Sequence, residues 1–123
     1  MMGFRSDILR MRDKQAALAH VERVGKGVRV LIDTADPSRV ERAEGITDRV
    51  NPIRDSLSEV AATVAGSNPN DGYMVVIRFG HVARSACECP DFGRTGPCKH
   101  VIAVAESWLE QVARPTWREL KRG

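Results

Sequence analysis

Outside the fourteen residues CECPDFGRTGPCKH, Cys87 to His100, the chain has no cysteine. A scaffold held by scattered disulfides is therefore excluded. Aromatic residues are also scarce, at 5% of 123 positions, so the core must rest mainly on Val, Ile, Leu, Met and Ala. Long hydrophobic runs are missing: stretches such as VIAVA fall far short of a membrane span. Met1 to Lys14 is charged at close intervals, without the apolar stretch of a secretory signal. The expected location is therefore intracellular, in the cytoplasm, with neither a membrane nor a small-molecule substrate as partner. In that reducing setting clustered Cys and His favour metal over disulfide. There is no internal repeat, no low-complexity tract and no phosphate-binding glycine loop; GKG at Gly25 to Gly27 lacks the spacing.

The apolar fraction of 42% and charged fraction of 28% fit one globular domain with a modest core. The net charge of +3 is unevenly spread. Residues 1–32 carry +4, residues 33–72 carry −4 and residues 73–123 carry +3. Basic ends flanking an acidic middle fit an anionic partner or an ordinary solvated surface. Arginine supplies 15 of the 19 basic side chains, which suits phosphate forks as well as ion pairs.

Ser6 reads as the cap of a helix running to about Val24, with Ile8, Leu9, Met11, Ala16, Leu18 and Ala19 on one broad face. Gly25 and Gly27 would end it, and VRVLI would follow as a short strand. In DTADPSRVERAEG, Asp36 caps, Pro37 takes the first helical position and Gly45 closes a short helix. Composition leaves residues 46–67 open between helix and strand. YMVVIRF is a strand, Gly80-His81 a two-residue turn, and VARSACEC the returning strand. That turn would set Phe79 against Val82, Ile77 against Arg84 and Met74 against Cys87. A helix is expected from Pro97 to about Val112, with Val101, Ala105, Trp108 and Val112 as its stripe. Pro115 would stop it, leaving a basic tail on which Trp117 packs back against the core. His20 and His81 read as surface or turn residues.

The spacing C-x-C, eight residues, C-x-H carries the chemistry. Strand alternation puts Cys87 and Cys89 on one face, with Cα atoms about 6.6 Å apart. Thiolates sharing a tetrahedral zinc need sulfurs about 3.8 Å apart, which side-chain rotation and a bend at Pro90 supply. Cys98 and His100 fall in the first turn of the following helix, whose free N–H groups stabilise thiolate. Cys87, Cys89, Cys98 and His100 thus form a closed four-ligand set for one structural Zn²⁺. Lys99 and Arg94 would offset its negative charge.

This pattern, with its flanks CECPDF and PCKHVIAV, resembles the SWIM zinc finger. The resemblance covers roughly residues 45–109 and implies a β-hairpin leading into the zinc loop, then a helix. It also implies that Glu59 to Ala65 is a strand. The expected fold class is α+β: a small zinc-stabilised domain of antiparallel sheet and C-terminal helix, residues 45–123, behind an N-terminal helical region, residues 1–44. The resemblance implies binding to DNA or to a protein, and the closed ligand set, with no catalytic arrangement in the sequence, makes a non-enzymatic module the expectation. Arg84, Arg94 and Lys99 are the candidate phosphate contacts. Some SWIM proteins partner RecA-type recombinase relatives and carry Ala where this chain has Ala103, so a RecA-type ATPase is the candidate protein partner. Paired carboxylates such as Asp33 and Asp36, or Glu41 and Glu44, read as caps and solvated charge rather than as a catalytic pair.

Overall fold

The computed structural model describes residues 3–66, 72–80, 83–89 and 97–122. Three helices come first: α1 (Phe4–Leu9), α2 (Lys14–Asp33) and α3 (Pro37–Glu44). A four-stranded antiparallel sheet follows in the order β1 (Val50–Asp55), β2 (Glu59–Ala65), β3 (Gly72–Arg78), β4 (Arg84–Cys87). The chain closes with α4 (Lys99–Trp108), a π-helical turn (Leu109–Ala113) and α5 (Arg114–Arg122). The α+β class read from the sequence holds.

The first helical segment divides differently from expectation. Its break falls at residues 10–13, because Asp13 turns its carboxylate onto the Ala16 N–H at 3.1 Å and caps α2 afresh. α2 then runs straight through both glycines and through VRVLI, which is helix and not strand. Its buried residues Ala17, Val21, Val24, Val28 and Ile32 keep helical spacing to the end. Gly27 serves close approach rather than termination. A Cβ there would lie 3.4 Å from the Gly80 carbonyl oxygen, so α2 rests almost directly on the end of the β3–β4 hairpin. His20, expected at the surface or in a turn, sits within α2, with its Nε2 buried and unpartnered among the described residues.

α3 forms as read. Asp36 accepts from the Ser38 N–H at 2.9 Å, Pro37 occupies the first turn and Gly45 ends the helix. Glu59–Ala65 is a strand, as the resemblance implied. β1 lies at the sheet edge, where Pro52 costs no ladder bond, and its register shifts between Pro52 and Arg54.

The hairpin register is one residue away from the expected one. Val75 faces Cys87 and Arg78 faces Arg84. The connection is thus longer than two residues; its tip, His81 and Val82, lies outside the described residues. The shift matters because strand side chains alternate. Opposite Val75, Cys87 shares the inner face with Val60, Ala62, Val64 and Ile77. Opposite Met74 it would have faced away.

The inner face of the sheet takes α4, whose residues from His100 to Ala105 are all buried. Pro115 does not stop the helical rod. The Arg114 N–H reaches back five residues to the Leu109 carbonyl, and this wide turn lets Pro115 pass without the clash that breaks an α-helix. The Thr116 hydroxyl then donates to the Val112 carbonyl at 2.6 Å. The basic tail is therefore α5, held by an ion pair from Arg5 to Glu119. Trp117 stays 37% exposed, not packed into the core, with its Nε1–H donated to Glu22 at 3.1 Å.

The core departs from the expected composition. Valine, alanine and isoleucine dominate, but among the described residues Leu120 is the one buried leucine and no methionine is buried. The scarce aromatics do more than their number implied. Phe4 sits edge-on to Trp108 at 5.0 Å and to Phe79 at 5.9 Å, joining α1, α4 and the end of β3.

Candidate metal centre

Two pieces of backbone bring the ligands together. β4 delivers Cys87 to the inner face of the sheet, and Cys89 follows two residues on. Cys98 is the N-cap residue of α4 with an extended backbone, φ −78° and ψ 169°, and its carbonyl accepts from the Ile102 N–H at 3.1 Å. His100 then projects from the first turn. α3 steadies this corner, because Arg39 donates to the Pro97 carbonyl at 3.2 Å.

The four donor atoms lie within 4.8 Å of one another. His100 presents Nδ1, which stands 4.0 Å from Cys87 Sγ and 4.0 Å from Cys98 Sγ. Cys98 is fully buried and Cys89 and His100 nearly so, while Cys87 keeps partial access. All three thiols are free of disulfides. A tetrahedral metal with these donors needs sulfur–sulfur edges of about 3.8 Å, so the residues fit an ion after a contraction of about 1 Å or less. The set is nitrogen and sulfur only, which suits a borderline-soft cation.

Electrostatics prepare one thiol ahead of the others. The Cys98 thiol is pulled well below the usual range, first by a hydrogen bond from Cys87, then by His100 and the Val101 N–H, against the cost of burial. Cys87 is pushed up, first because it donates to Cys98 and then by burial. A thiolate at Cys98 is what a helix N-terminus favours.

Tyr73 belongs to this site and was not singled out in the sequence. It shares the inner face with Val75, and its ring lies 4.7 Å from that of His100 with the planes 38° apart. Strand alternation from Val75 would have pointed to it. Lys99, half-buried, stands between two ligands in α4. Arg84 does not join them: it pairs with Arg78 on the outer face of the sheet. Arg94 lies outside the described residues.

Three thiols and one imidazole gathered between a hairpin and a helix N-terminus define a zinc-finger type of centre. Residues 67–109 match the family model of the SWIM zinc finger. The match takes in β3, β4, all four candidate ligands and α4. It begins after β2 rather than near residue 45, so β1 and β2 lie outside it. Comparison with curated proteins and with solved structures returns no match.

Proposed function

We propose that this chain is a non-enzymatic, zinc-structured binding module acting inside the cell. The closed Cys3His set, packed between β4 and α4, carries the reading. Four nitrogen and sulfur ligands complete a tetrahedral zinc and leave no position for substrate, so the ion fixes shape. Cys87, Cys89, Cys98 and His100 hold it. Such a module works through its surface, by binding a protein or DNA.

A protein partner is the first reading, favoured by the outer face of the sheet, where Met74 and Val76 are only half-buried. The SWIM resemblance adds a RecA-type ATPase as a candidate class of partner, with a role in DNA repair or recombination. Ala103 gives that idea no contact: it is fully buried inside α4, where its small side chain serves packing. DNA binding is the second reading. Arg78 and Arg84 face one another across the hairpin with no ion pair among the described residues, and Lys99 lies near the zinc site.

The test combines metal analysis with partner capture. Protein purified gently should hold one zinc per chain by elemental analysis. Pull-down from the native cell, with and without nuclease, separates the readings: nuclease-resistant capture of an ATPase supports the first, and salt-dependent binding to purified DNA the second. Metal-free protein that keeps its fold would refute the structural zinc.

A further inference from the structure

Antiparallel sheets with one solvated face usually alternate apolar inward and polar outward. Here the outward positions of the central strands are Ala61, Thr63, Met74 and Val76, joined by Ala86 on β4. Ala61 has no exposed surface, although it points away from α4. Charge on this face lies at the β1 edge and at the end of the sheet marked by Glu59, Arg78 and Arg84. Arg54 on β1 is opposite Ala61, while Glu59, Arg78 and Arg84 form one cross-strand row. The one carboxylate in that row, Glu59, is 3.8 Å from Arg54. Glu59 faces Arg78 in the ladder but gives its ion pair to Arg54, so Arg78 and Arg84 stand directly opposed with no ion pair of their own among the described residues, an arrangement that costs stability in the free protein.

We propose that the outer face of the sheet is the docking surface for an acidic amphipathic helix of a protein partner. The inference rests on reading the chain as a binding module. A helix about 10 Å across, laid over β2 and β3, covers the aliphatic floor with its apolar stripe. Its flanks then meet Arg54 on one side and Arg84 on the other, with Arg78 between, so Asp or Glu there relieves the opposed arginines. Nucleic acid fits less well. No aromatic side chain stands among these outward positions for a base to stack on, and a phosphate backbone would leave the aliphatic floor unmatched.

The probe is a phage-displayed library of helical peptides, about four turns long, with a Leu/Ala stripe and randomised flanks, selected on the zinc-loaded full chain. Selected flanks should be rich in Asp and Glu. Binding should weaken about tenfold or more with Val76→Asp, and likewise with Arg78→Gln plus Arg84→Gln. Both variants should keep zinc content and a cooperative melting transition, the arginine variant melting at or above the parent. No enrichment, flanks without acid, or binding indifferent to Val76→Asp would overturn the proposal. DNA binding lost with the arginine variant but untouched by Val76→Asp would overturn it in favour of phosphate. Metal-free protein that still selects acidic helices would support the docking face while removing the zinc reading.

Discussion

The ring of Tyr73 lies 4.7 Å from the ring of His100, one from the sheet and one from the first turn of α4. The contact fixes the plane of the imidazole that offers Nδ1 to the thiols. Groups that orient a ligand are worth about 10- to 100-fold in metal affinity. Tyr73→Ala should lower zinc affinity about fivefold, as an aromatic pair worth about 1 kcal/mol requires. Tyr73→Phe keeps the ring and should bind like the parent. Competition with a chromophoric chelator measures both; equal loss from the two variants would assign the effect to the hydroxyl instead.

The same corner should depend on the ion for its fold. Structural zinc contributes about 10–16 kcal/mol of apparent binding free energy in small zinc modules, more than a core of this size supplies alone. Cys98→Ser, or removal of metal by chelator, should unfold at least residues 73–112. Circular dichroism before and after chelation reads the loss, and restored zinc should reverse it for the parent but not for the variant. A spectrum indifferent to chelator would contradict the prediction.

An acidic cleft gives a pH dependence of unusual sign. Glu44, Asp48, Glu106 and Glu110 line one depression beside α4. The Glu106 carboxyl is pushed up by burial, then by Glu44 and Glu110, with Arg29 opposing. A carboxyl whose folded pKa is raised binds its proton more tightly in the folded state. Its ionised form therefore weakens the fold at neutral pH, and the penalty fades as pH falls through the raised pKa. Glu106→Gln should melt higher than the parent at pH 7, and the gap should close as the solution is acidified. Metal loss at low pH affects both proteins, so the difference between them is the quantity to follow.

The cluster of Cys87, Cys89, Cys98 and His100 was legible because its spacing is short-range: C-x-C and C-x-H fix which side chains can converge, whatever surrounds them. The helix Pro37–Glu44 was legible for the same reason, through Asp36 and Pro37. What failed depended on contacts between distant segments. Gly25 and Gly27 read as a stop, yet Gly27 admits the Gly80 backbone 53 residues further on, at a packing site local sequence does not show. The helix through Pro115 needed a π turn, which has no sequence signature of its own. The hairpin register turned on one residue of loop length, and with it the partner of Cys87.

Phe4 is the side chain that tests how far the N-terminal helices support the rest. It is fully buried and touches His20, Phe79 and Trp108, so three further elements meet at its ring. Removing a buried phenylalanine costs about 3–5 kcal/mol, a large share of a small domain's stability. Phe4→Ala should lower the denaturation midpoint of the zinc-loaded protein accordingly, and Phe4→Leu by less. Because Trp108 stands on α4, eight residues beyond His100, the damage should reach the metal centre through the rod. Zinc release on denaturation, followed by a metal indicator, should therefore shift with the unfolding midpoint. Release that stayed at the parent midpoint while the helices melted early would show that α1 and α2 fold apart from the metal centre.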